Sequence, residues 1–279
     1  YWPSPNTGAT NSSGFTALPG GGRSVSGGDN FTGNITAGFW WSSTQYQGQV
    51  SAWWRLLDYQ GSQVSRYPVL TDIGISVRCV KDYPKEPGSS PNYGTYTDQR
   101  DQTVYKTITI GGKEWMAENL KYLPSVVGPA TSSETTACYY VYDYDGTNVS
   151  EAKATANYQT YGVLYNWPAA MNGAATSNTI PSGVQGACPP GWHLPSDAEW
   201  QQLEMYLGMS QSEADKTNLR GTDEGGKLKH PGTEYWASPN TGATNSSGFT
   251  ALPGGIFFSG NFQAILTHSL WWSSTQYLQ

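Results

Sequence analysis

The phrase SPNTGATNSSGFTALPGG stands twice in this chain, at residues 4–21 and again at 238–255. Extended outward, residues 1–21 match 235–255 with a single difference, Pro3 against Ala237. The copies then diverge, into GRSVSGGDNFTGNITAGF after the first and IFFSGNFQAILTHSL after the second, and rejoin at WWSSTQY, residues 40–46 and 271–277. A fixed frame therefore brackets an insert that changes in residue type and is three residues shorter in the second copy. A duplication of this length needs two equivalent places in the folded material, which constrains the architecture more than any local propensity. The first copy runs on through SAWWRLLDYQ to ISVRCVKD, whereas the second reaches only Gln279.

Between the copies, YPKEPGSSPNYGTYTD (83–98) has the Pro, Gly and Ser content of a linker. Val104 to Ile110 alternates as a strand should, and Gly111-Gly112 marks entry to a tight hairpin turn. Ser196 and Glu199 make a capping box, with Trp200, Leu203 and Leu207 following at helical spacing. A second helix is expected over residues 161–171, and most of the remainder carries turn chemistry.

Charge excludes one class of partner. Fifteen Lys and Arg stand against 21 acidic residues, a net charge of −6, with no cluster of cations to displace phosphate counterions, so nucleic acid is not expected. Charged residues make up only 13% of the chain, and Gly, Ser, Thr and Asn with 12 Trp and 19 Tyr take their place. Rigid aromatics on polar loops suit contact surfaces. No apolar run is long enough to span a membrane. Tyr1-Trp2-Pro3 begins neither a charged nor an apolar leader, so the expectation is a mature, processed or cut chain. The three cysteines, Cys79, Cys138 and Cys188, permit one bridge and one leftover thiol.

Six stretches, YKTITIGGKEWMAENLKY, YGVLYNWPAAM, CPPGWHLPSDAEW, SGFTALPGG, WWSST and ISVRCVKD, closely resemble successive motifs of the Fibrobacter-type major paralogous domain, FISUMP. The resemblance implies an α+β, C-type lectin-like fold of the branch that includes the formylglycine-generating enzymes. Such a fold is loop-rich, with short antiparallel sheets and about two helices per repeat. In the family's motif order, residues 1–82 are the C-terminal part of one repeat, 83–98 a linker, and 99–279 a second repeat lacking its last strands. The family's first and last strands lie together, which implies pairing of 73–80 with 104–110. It also implies a structural bridge between Cys79 and Cys188, unless these fall in different domains and lack each other. Cys138 is then the orphan. Unfinished units invite completion by other copies of the chain, head to tail, and such contacts do not close on themselves. The competing reading is a fragment of a tandem-repeat protein with frayed ends.

A relative of this fold oxidises cysteine through a copper-binding cysteine pair, so an enzyme has to be considered. Here no two cysteines are close in sequence and no histidine stands beside them. His193 reads as a buried framework residue, His230 falls in a turn, and His268 lies in the insert. No GxSxG, paired-carboxylate or phosphate-loop pattern occurs, and the expectation is a non-enzyme without cofactor. For calcium, Asp143, Asp145 and Asn148 (with Glu151) offer hard oxygen ligands, although acidic turns are more often simply solvated. The inserts are the stronger candidate site, because loops on a fixed scaffold tolerate change. They would present Phe257, Phe258, Asn261, Phe262, Ile265, Leu266 and His268 in one copy, and Arg23, Asp29, Asn30, Phe31 and Ile35 in the other. Drift or packing between repeats explains the same divergence. The reading is an extracellular or cell-surface adhesion protein that binds a glycan or protein ligand and further copies of itself, as a homo-oligomer or filament. Its alternative is a purely structural fibre subunit.

Overall fold

Turn-rich sequence yields short elements, and the computed structural model describes residues 37–41, 51–58, 63–71, 73–82 and 93–276. Chain order begins with β1 (Ala37–Trp41), β2 (Ser51–Asp58), β3 (Val64–Leu70) and β4 (Val80–Asp82). It continues with β5 (Tyr93–Thr97), β6 (Val104–Ile110), β7 (Lys113–Met116) and β8 (Tyr139–Tyr140). Next come α1 (Val149–Ala154), α2 (Ala156–Tyr161), β9 (Leu164–Tyr165), α3 (Trp167–Met171) and α4 (Asp197–Tyr206). The last elements are α5 (Gln211–Ala214), β10 (Asn218–Arg220), α6 (Glu224–Leu228), β11 (Ile256–Phe258), β12 (Asn261–Gln263) and β13 (His268–Gln276).

The expected strand forms as β6, with Tyr105, Thr107, Ile108 and Ile110 buried, and Gly111 (φ 61°) and Gly112 (φ 80°) turn it into β7. Its other neighbour differs from expectation. Residues 73–80 do not pair with 104–110. Instead β4 pairs with β7, Val80 opposite Trp115, and β5 takes the free edge of β6, giving the antiparallel order β4-β7-β6-β5. The stretch 93–97, placed in the linker by its Pro-Gly-Ser surroundings, is thus a strand. Tyr and Thr favour the pleat, and Gly94 lies so close to Thr107 that a Cβ would stand 2.6 Å from its Oγ1.

The capping box forms as expected: Ser196 accepts from the Glu199 N–H, the Glu199 side chain reaches back to the Ser196 N–H, and Trp200 and Leu203 face inward. The single helix expected over 161–171 is replaced by the end of α2, strand β9 and α3. Gly162 (φ 77°) terminates α2, and the Asn166 side chain caps α3, which has Pro168 in its first turn. Among the described residues there are six short helices, rather than about two, because Gly, Pro and Asn interrupt every periodic run.

The segments on either side of 83–92 share their packing. Ala52, Ile73, Ile75, Val77 and Cys79 pack in one core with Tyr105, Met116, Tyr165, Leu194 and Trp272. Val64 and Val80 join another, with Trp115, Trp200, Phe249 and Trp271. Sequence divided 1–82 from 99–279, whereas the described parts of both build one packed unit. Cys79 and Cys188, 5.8 Å apart at Cα, are disulfide-bonded, and Cys138 is free and buried.

The duplication has a direct structural expression. From the second copy, β13 pairs with β2, His268 opposite Asp58 through Trp272 opposite Trp54. From the first copy, β1 pairs with the same partners in the same register, Ala37 opposite Asp58 through Trp41 opposite Trp54.

Candidate functional site

The block 51–82 is seated on residues 93–276 at two arginine-rich joints. At the first, Asp197 and Glu204 stand seven residues apart on α4, two helical turns, and so share a face. Arg66 of β3 grips Asp197 with both prongs, Nε at 3.1 Å and Nη2 at 2.7 Å, while its guanidinium lies 3.8 Å over the Trp53 ring. Arg55 of β2 bridges the two acids, Nη1 2.7 Å from Asp197 and Nε 2.7 Å from Glu204. Arg220 of β10 closes on Glu204 at 2.8 and 3.0 Å. All five side chains are buried. Burial alone would raise the Asp197 carboxyl, but Arg55 and Arg66 outweigh it and hold it well below the usual carboxylate range. Burial depresses Arg55 as well, and its two acids more than compensate.

The second joint is built chiefly from carbonyl and amide oxygens, with Glu118 acting on the arginine through space. Arg78, fully buried between the rings of Phe249 and Trp271, donates to the carbonyls of Met116 (3.1 Å), Phe249 (2.8 Å) and Thr250 (2.9 Å). Its Nε donates to Asn119 Oδ1 at 2.7 Å, which also accepts from the Trp271 indole at 2.9 Å. The Asn119 amide in turn reaches Ser76 Oγ and the Tyr161 carbonyl. Burial pushes the Arg78 guanidinium well below its ordinary pKa. Residues from ISVRCVKD, EWMAENLKY, SGFTALPGG and WWSST thus meet around one side chain. Neither joint was singled out from sequence. The available signal was a lone arginine inside each apolar run, AWWRLL and ISVRCV, since such a position buries the charge unless partners come from afar.

The insert departs from expectation. Phe257, Phe258 and Phe262 are interior residues rather than exposed contacts. The β11–β12 hairpin folds inward, stacking Phe257 on Tyr140 at 3.9 Å between centroids and setting Phe262 beside Tyr142. Burying such rings is worth about 25 cal/mol per Å² of apolar surface. Ile265 and Leu266 pack half-buried against the second core, and Asn261 sits half-buried at the start of β12. His268 opens β13 with Nδ1 2.7 Å from Thr267 Oγ1, and burial pushes its pKa well down. Arg23, Asp29, Asn30, Phe31 and Ile35 lie outside the described residues.

His193 is buried and 3.0 Å from Glu199, as its framework position suggested. In the acidic turn, Asn148 caps α1 and bonds Glu151, which engages the oxygens of these two, while Asp143 and Asp145 stand exposed. Among the described residues no three His, Cys, Asp or Glu side chains gather as a metal cluster. No helix among them is long and apolar enough to cross a membrane.

These joints define a disulfide-bonded α+β unit of short antiparallel sheets, closed by buried arginines. The model of one family, the Fibrobacter succinogenes major domain, matches residues 1–81 and 108–279, and the chain belongs to that family. No curated protein and no solved structure matches the chain.

Proposed function

We propose that this chain is a lectin-like repeat module of an extracellular or cell-surface assembly, in which a block equivalent to 51–82 closes a block equivalent to 93–276, head to tail. The observation that carries this reading is the shared register of β1 and β13 on β2. A strand has two edges, and β2 gives one of them to β3. A closed unit therefore has one edge left for one copy of the frame, and the other copy belongs to another unit. The disulfide supports an oxidising compartment. The role is binding or adhesion rather than catalysis.

Electrophoresis of the purified chain without reductant, with electron microscopy of the same material, tests this reading. A ladder of species joined through Cys79 of one chain and Cys188 of the next, with fibres in the images, supports head-to-tail closure. Monomers alone, without fibres, would show the block closing on its own chain and defeat the filament reading. The burial of Phe257, Phe258 and Phe262 favours one variant of the proposal, a structural subunit whose inserts serve packing rather than recognition.

A further inference from the structure

A cleft of about 660 Å³ opens where the start of β5 meets α2, the turn at His230 and the second frame copy itself. It lies in the volume range of small-molecule sites. It uses none of the insert, touches the Arg78 joint only through Thr250, and includes no residue assigned so far to a ligand.

Three properties of its lining point to one chemistry. The first is aromatic. Tyr93 is 43% exposed on the wall, and Tyr235, which also lines the cleft, makes an edge contact with the His230 ring at 5.0 Å. Flat rings of this kind take the C–H face of a saccharide without needing an apolar pocket. The second is hydrogen-bonding capacity. Thr95, Gln159 and Thr160 line the cleft with short polar groups. The His230 ring backs the wall as a neutral group, since burial lowers its imidazole to about 3. The third is charge. Two cations, Lys106 and Lys121, face one carboxylate, Glu118. Glu118 is already engaged, accepting the Lys106 backbone N–H at 2.7 Å and standing 3.6 Å from the Lys121 ammonium. The exposed Lys106 ammonium has no ion pair among the described residues. A locally cationic recess in a chain of net charge −6 selects an anion.

We infer that this cleft binds a carboxylate-bearing oligosaccharide, with Tyr93 and Tyr235 against sugar faces, Lys106 on a carboxylate, and Gln159 and Thr160 on hydroxyls. An acidic peptide meets the charge but leaves the hydroxyl-matching groups without partners. The inference is independent of how units join, since the lining comes wholly from residues 93–252.

Calorimetric titration of the full chain with trigalacturonate tests it, with cellotriose as the neutral control and hexaglutamate as the acidic peptide. Trigalacturonate should bind, at least tenfold more tightly than cellotriose, and weaken as salt is added. Lys106→Gln changes an exposed side chain and should lower affinity tenfold or more with an unchanged unfolding midpoint. Tyr93→Ala should lower affinity as far, while Tyr93→Phe, which keeps the ring and loses the hydroxyl bonded to Thr250 and Asn245, should retain it. Absence of trigalacturonate binding, equal binding of the neutral trimer, full affinity in both Lys106→Gln and Tyr93→Ala, or preference for hexaglutamate would each overturn it.

Discussion

Two joints hold the block 51–82 to the rest of the unit, and they bury arginine by opposite means. At α4, three guanidiniums are held by two carboxylates, which leaves one net positive charge. Around Arg78, one guanidinium is held by carbonyl oxygens, an amide and two aromatic faces. The first arrangement supplies charge from side chains, and its strength depends on their ionisation. The second draws chiefly on backbone that is already fixed, with Glu118 assisting through space, so pH weakens it less in the carboxylate range. The contrast teaches that the α4 joint is the more conditional fastening and the Arg78 joint the more permanent one.

The sharpest way to break that contrast is Arg78→Leu. It orphans the carbonyls of Met116, Phe249 and Thr250 along with Asn119, and should cost about 4 kcal/mol in denaturant unfolding. A loss under about 1 kcal/mol would mean these acceptors are not held by the guanidinium. Asp197→Asn leaves Arg55 and Arg66 sharing a neutral partner and should cost about 3 kcal/mol by the same measurement. Cys79→Ser releases a bridge between positions 109 residues apart and should cost about 2–4 kcal/mol. If the bridge joins different chains, this variant should also remove every covalent oligomer from an unreduced gel.

The pH profile is the measurement that separates the joints. Asp197 titrates lower in the folded state than its unfolded value near 3.9. Its contribution is therefore complete above about pH 4 and lost as pH falls below that. Asp197→Asn should flatten this acid limb, while Arg78→Leu should shift the whole curve and change its shape there less. His230 gives a second, earlier slope. Its folded pKa of about 3 lies below the ordinary 6.5, so the unfolded chain takes up the proton first and stability falls as pH drops from about 6.5 towards 3. His230→Gln should reduce that slope, as read from thermal midpoints across the range.

Much of the local structure was legible. Alternation over 104–110, the glycine pair after it and the capping box at Ser196 depend on neighbours within a few residues, and each formed. The 161–171 helix was misread because apolar residues at helical spacing concealed Gly162 and Asn166, which break it into three elements. The insert was misread for a related reason. Variability on a framed loop suggests exposure, but Phe257 and Phe262 had aromatic partners at Tyr140 and Tyr142 that no spacing reveals.

From sequence alone came the duplication, the family motifs with the cysteine pair they imply, and the absence of a nucleic-acid footprint, all of which are properties of residue order and composition. Only the tertiary structure decided that 51–82 and 93–276 share one interior, that both frame copies address the same partners on β2, and that a cationic cleft opens beside β5. The physical reason is range. Caps and strand alternation are settled over one or two turns of chain, whereas a buried arginine needs partners more than a hundred residues away, such as Glu204 for Arg55, and these are set by packing.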